Sequence, residues 1–193
     1  YTNLNTLSLH DALPISVGIV IPDITNTYFS TLAKGIDDIA EMYKYNIVLA
    51  NSDEDDEKEV SVVNTLFSKQ VDGVIFMGYH LTEKIRSEFS RSRTPVVLAG
   101  TVDIEHQLPS VNIDYKHATV DAVRHILKRN KKIAFVSGPL VDDINGKIRL
   151  AGYKDTLKEA GINYSEALSA PAPARRASLR LRRRGAPLCA CAG

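Results

Sequence analysis

The sequence predicts an α/β protein: a parallel sheet covered by helices on both faces and joined by right-handed crossovers. Three observations carry this. Apolar strand-like runs alternate with helical periodicity along the body, and the strand runs are short and β-branched, as strands buried on both faces are. Polar turn residues fall where each strand gives way to a helix.

The stretch VGIVIPDITNTYFSTLAKGI, residues 17–36, sets the pattern. Val17, Ile19, Val20 and Ile21 form an apolar run stopped by Pro22, which cannot donate to a ladder. From there the period changes. Phe29, Leu32, Ala33, Ile36 and Ala40 share one helix face, leaving Lys34, Asp37 and Glu41 for the other. In the polar turn at 23–27, Asn26 or Thr27 is placed to cap that helix. A loop at the carboxyl end of a parallel strand is where open α/β sheets bind ligands.

The remaining elements follow in order. Residues 47–49 read as a second strand, and 51–56 as a loop into a helix with Val60, Val63, Leu66 and Phe67 on its core face. A third strand is expected at 71–77, a short helix at 82–89 and a fourth strand at 95–99. A longer polar connection, 100–110, leads to a strand at 111–113 and a helix at 115–129. That helix is expected to turn Ala118, Ala122, Val123, Ile126 and Leu127 inward. A sixth strand at 133–136 and a helix at 145–160, stopped by Gly161, complete the body.

The chain has 193 residues, 44% hydrophobic and 24% charged, enough for one or two cores. Its formal net charge of +1 conceals an asymmetry. Beyond residue 165 lie Arg175, Arg176, Arg180, Arg182, Arg183 and Arg184 with a single acid, so residues 1–165 hold 18 basic and 22 acidic groups, a net of −4. Cys189 and Cys191 also fall in that tail. The thiol-free body fits a reducing, cytoplasmic setting. No run of about 18 apolar residues is present to span a membrane, and no basic-then-apolar leader opens the chain.

Neither end is expected to belong to the native protein. Residues 8–15, SLHDALPI, resemble the translation of a widely used short-read sequencing adapter, so residues 1–15 are set aside as an artefact. Residues 166–193 change abruptly to Ala, Arg, Leu, Pro, Ser and Gly, the composition of a GC-rich wrong frame or chimeric join. A nucleic-acid arm is the alternative reading of those arginines.

The phosphate cradles G-x-G-x-x-G and G-x-x-x-x-G-K-[ST] and the nucleophile elbow G-x-S-x-G are missing, so no catalytic centre is expected. The acidic run 53–57 resembles a calcium loop but lacks its central glycine and closing glutamate, and reads instead as favourable charge at a helix N-terminus. His117, Asp121 and His125 share a helix stripe that could meet zinc, but closing ligands are wanting and a solvated face is expected. His80 and His106 lie in loops. No metal and no cofactor are therefore expected.

Three positions suit ligand contact. Tyr28 falls off the core period that holds Phe29, and could face a pocket as a flat amphipathic wall. Asp114 stands where the fifth strand meets its helix, as a cap or as an acceptor for a ligand hydroxyl. Arg149, beside Ile148 and Leu150, carries a guanidinium fork suited to an anionic or polyhydroxylic ligand.

Ordered blocks over residues 16–165 carry a family resemblance: IPDITNTYFSTLAKGIDDIA, YNIVLANSDEDDEKE, KQVDGVIFMG, PSVNIDYKHA, and IAFVSGPL followed by IRLAGYKDTLKEAGI. They resemble the LacI/GalR family of bacterial transcription regulators. MYKYNIVLANSD, KQVDGVIFM and VNIDY are most similar to its carbon-catabolite members. The resemblance implies a truncated, periplasmic-binding-protein-like (type I) core of Rossmann-like subdomains with an effector cleft between them. It implies residues 16–130 as the first subdomain and 131–165 as the start of an incomplete second one.

By the same resemblance, Asp23, Asn26, Tyr28 and Phe29 match the family's first effector loop. Asp114 matches its strand-five acid, and Asn145 and Arg149 match positions reaching the effector from the second subdomain. Arg149 is typical of sugar- and purine-sensing members, whereas carbon-catabolite members often carry lysine there. The implied effector is a sugar or sugar phosphate. The implied partners are a second copy in a homodimer, operator DNA held by a helix-turn-helix domain outside this sequence, and serine-phosphorylated HPr on a surface that includes Asp38. The function expected is the effector-binding half of a DNA-binding regulator; the alternative is a sugar receptor of a transport system, which shares the architecture.

Overall fold

Five parallel strands in the order β2-β1-β3-β4-β5 make the larger sheet. They are β1 (Ser16–Ile21), β2 (Asn46–Asn51), β3 (Gly73–Phe76), β4 (Val96–Ala99) and β5 (Ser110–Val111). The computed structural model describes residues 14–103, 105–138 and 143–171, so the expectations for 1–13 and for 172–193 lie outside the described residues. These divide into two units, one ending at Asn112 and one starting at Ile113.

In the first unit β1 pairs with β2 and β3, with Val17 opposite Ile47 and Gly73. The chain leaves β1 through helix α1 (Thr27–Met42) toward one edge, then returns through α2 (Asp56–Ser68) to β3 and α3 (Glu83–Arg91) to β4. Right-handed crossovers running in opposite directions put α1 on one face and α2 and α3 on the other. The side chains agree. Val20, Val63, Leu66, Val74, Phe76, Ile85, Phe89 and Leu98 form one core, and Ile19, Ile21, Phe29 and Met77 form the other. Burying a strand on both faces removes alternate residues to opposite cores, so β1 reads as continuously apolar.

The connection from β4 to β5 contains no helix, so among the described residues of this unit only α1 covers its face of the sheet. A groove beside α1, lined by Tyr28, Leu32, Ile36, Ile39 and Ile75, stays open. β3 and β5 are shorter than their apolar runs. Val71 belongs to the core as loop, and Ile113 is exposed beyond the ladder.

The second unit holds helices α4 (Tyr115–Leu127) and α5 (Arg149–Glu159), the latter preceded by wide, π-type turns over Asp143–Ile148. Strands β6 (Phe135–Ser137) and β7 (Ser169–Pro171) pair in parallel. Val123, Tyr153 and Leu157 are buried together, Tyr153 stacks on Phe135 at 4.9 Å, and its hydroxyl donates to the Ile133 carbonyl at 2.8 Å. Lys116 with Asp155 and Arg124 with Glu159, each at 2.7 Å, tie α4 to α5.

One feature departs from the sequence reading. Ala118, Ala122 and Ile126 are exposed, and the buried or half-buried stripe of α4 runs through Tyr115, Thr119, Val123 and Leu127. α4 is apolar over more than one face, and α5 selects which face is covered through Gly152, where a Cβ would sit 2.8 Å from the Lys116 carbonyl oxygen. α4 lies in the second of the two compact units, which starts at Ile113. Residues 166–168 form a short 3₁₀ turn, and β7 pairs with β6 with Ser169 opposite Phe135. Gly161, at φ +69°, ends α5 as expected. No helix among the described residues is long and apolar enough to cross a membrane.

Candidate functional site

At the carboxyl end of β1 the chain turns immediately. Asp23 Oδ1 accepts from the Thr25 amide at 2.8 Å and its hydroxyl at 2.7 Å, folding the loop on itself. Asn26 then caps α1, its Oδ1 accepting from the Tyr28 amide at 3.1 Å. The loop is also tied to the next strand end: the Ile24 amide donates to Asn51 Oδ1 at 3.1 Å, and the Glu54 amide to the Pro22 carbonyl at 2.9 Å.

An aromatic row crosses the same edge. Tyr28 meets Phe29 edge-on at 5.1 Å and Phe29 meets Tyr79 edge-on at 5.4 Å. Tyr28 is 49% exposed and Phe29 only 3%, so Tyr28 presents the row to solvent while Phe29 anchors it among Ile19, Ile21 and Met77. Asp23, Asn26, Tyr28 and Phe29 thus come together on one rim of the first unit.

The other three expected residues lie in the second unit. Asp114 caps α4, accepting from the His117 amide at 2.8 Å. Asn145 falls in the wide turn Asp143–Ile148. Arg149 opens α5 with its guanidinium 5.4 Å from the centre of the Tyr115 ring, a cation–π contact. His117 lies 3.5 Å from Asp121 on an exposed face, and the described residues contain no group of three metal-ligating side chains. Asp38 is exposed on α1 and paired with Lys34 at 2.7 Å, which raises the lysine's pKa.

Two buried acids escaped the sequence reading. Asp103, 3% exposed, accepts from Arg86 at 2.9 Å and from the amides of Glu105, Gln107 and Leu108 at 3.1, 2.8 and 2.9 Å. Burial pushes its carboxyl up, but the Arg86 guanidinium and the three amides outweigh that and hold it at about 2. This knot fixes the β4–β5 connection. Seventeen residues separate the ionic partners, and no local pattern marks them. Glu59 is buried on the same face of α2 as Val63 and Leu66, and burial, with repulsion from Asp56, pushes its carboxyl up to about 8. Its i, i+4, i+7 spacing with those two residues was the available signal.

A short carboxylate, a side-chain amide and a half-exposed tyrosine on one rim can bond the hydroxyls of a small polar ring and cover its apolar face. That fits a binding protein of the two-unit α/β class. Residues 15–171 match the periplasmic binding proteins and sugar-binding domains of the LacI family, and the chain belongs to that family. It is 73% identical over 153 residues to catabolite control protein A of Streptococcus mutans, a match taking in 79% of this chain and 46% of that protein. Its structure is similar to the crystal structure of the transcription regulator CcpA of Lactococcus lactis, at a TM-score of 0.77 and 46% identity over 90% of this chain and 66% of that one. A LacI-family sugar-binding transcriptional regulator from Escherichia coli, complexed with phosphate, is similar at a TM-score of 0.70 and 26% identity, covering 89% and 64% of the two chains. The chain spans about half the length of the curated relatives it matches.

Proposed function

We propose that the chain is the effector-binding core of a DNA-binding regulator in carbon catabolite control, which works by population shift. A ligand that favours one arrangement of the two units alters the geometry in which a dimer presents its DNA-binding domains. The observation that carries this reading is the rim of Asp23, Asn26 and Tyr28 at the carboxyl edge of a parallel sheet, on a chain 73% identical to a catabolite control protein. The family also contains periplasmic binding proteins, and the high identity to a regulator favours regulation over the alternative of a sugar receptor of a transport system.

The effector proposed is a sugar or sugar phosphate, met by Asp23, Asn26 and Tyr28 with Phe29 behind them, and by Asp114, Asn145 and Arg149 from the second unit. The cation in Arg149 suits the phosphate of such a ligand. Serine-phosphorylated HPr is the proposed protein partner, on the α1 surface that includes Asp38, and a cytoplasmic homodimer is the proposed working state. Selection of random duplexes by the complete regulator, with and without glucose 6-phosphate, tests the reading. Enrichment of two-fold symmetric sites whose affinity responds to the sugar phosphate is expected; no enrichment would overturn it.

A further inference from the structure

Asn26, Glu54 and Tyr79 belong to the loops that follow β1, β2 and β3, and one phenol joins all three. Tyr79 Oη accepts from Asn26 Nδ2 at 3.4 Å and donates to Glu54 Oε1 at 3.2 Å. The far end of the same amide, Asn26 Oδ1, is held by the Tyr28 amide at 3.1 Å. The Asn26 side chain is therefore gripped at both ends, oxygen on the helix N-terminus and nitrogen on the phenol. The Tyr79 ring is steered in turn by Phe29, which it meets at 5.4 Å and 85°.

The Glu54 side of the bridge is under constraint. Asp53 and Glu54 stand at φ +56° and +57°, a region non-glycine residues occupy at a cost, so the turn after β2 depends on its ties to neighbours. The bond from the Glu54 amide to Pro22 is one such tie, and Tyr79 supplies another.

We propose that Tyr79 is a positioning residue for the effector. It acts through Asn26. The Nδ2 group carries two N–H donors, and by taking one in a fixed direction the phenol aims the other toward the rim, where it suits an acceptor oxygen of a sugar hydroxyl or phosphate. The proposal rests on the effector-binding reading above and adds to it a residue that holds the ligand-facing amide and spaces three loops.

The test is Tyr79→Phe in the complete regulator, which keeps the ring against Phe29 and removes only the hydroxyl. Two readouts are taken: titration with glucose and glucose 6-phosphate, and the side-chain amide resonances and exchange rate of Asn26 by NMR. The expected result is roughly three- to tenfold weaker binding of whichever probe the wild type binds, with faster exchange at Asn26 Nδ2 and a melting temperature lowered by a few degrees at most, the share of the two lost loop ties. Unchanged affinity, or an affinity loss that comes with a general loss of folding in thermal unfolding, overturns the proposal. If the wild type binds neither probe, the effector reading fails by itself, and the amide decides the positioning role: faster exchange in Tyr79→Phe supports it and an unaltered signal overturns it.

Discussion

Replacing Asp103 with Asn tests the most concentrated electrostatic feature of the first unit. The substitution keeps the shape of the side chain but removes the charge opposite Arg86 and one of the oxygens that together serve three backbone amides. A carboxyl held at about 2 rather than at its ordinary 3.8 contributes about 2 kcal/mol at neutral pH. That contribution belongs to a lowered pKa, so it is present above 3.8 and is lost as pH falls through about 2. The assay is hydrogen exchange at the amides of Glu105, Gln107 and Leu108 in the complete regulator. Asp103→Asn should lower their protection factors about 60-fold at pH 7, narrowing to about tenfold at pH 3 as the wild-type carboxyl approaches its own titration. Equal protection in the two proteins, or a gap that does not narrow in acid, would refute the charge as the source of order in this loop.

Other outcomes follow from buried groups and close contacts. Glu59, with its carboxyl raised to about 8, opposes folding increasingly from about pH 4.5 upward; Glu59→Gln should gain on the wild type in urea denaturation by about 1 kcal/mol per pH unit across that range, with no gain at pH 4. Gly152→Ala should destabilise the second unit by about 1–3 kcal/mol in thermal unfolding, because its Cβ would meet the Lys116 carbonyl oxygen at 2.8 Å and backbone must shift. The 193-residue chain alone should associate or remain partly folded, since Ile39, Met42, Tyr43, Val111, Ile113 and Val136 are exposed and β2 and β5 present open edges; sedimentation showing one monodisperse monomer with a cooperative melt would count against it.

Much of the first unit was legible because its signals are local. The β1 run ends at a proline, Asn26 is a cap of ordinary type, and the helical spacing of Phe29 to Ala40 names the buried face. The failures share a cause. Which face α4 buries depends on Gly152, more than thirty residues from the Lys116 and Thr119 it packs against. Asp103 and Arg86 likewise meet through tertiary structure that separates them by a strand. At the rim, Asn26 and Tyr28 were visible as positions, whereas the phenol that links Asn26 to Glu54 was not, because hydroxyl bonding across three loops leaves no periodic trace.

Long-read sequencing of the source genomic DNA across both ends of residues 16–165 decides whether the chain is the core of a DNA-binding regulator. An in-frame helix-turn-helix coding segment upstream and the remainder of the second unit downstream are expected. An export signal upstream, with an apolar segment in place of the helix-turn-helix, would contradict that assignment and move the protein to the transport receptors.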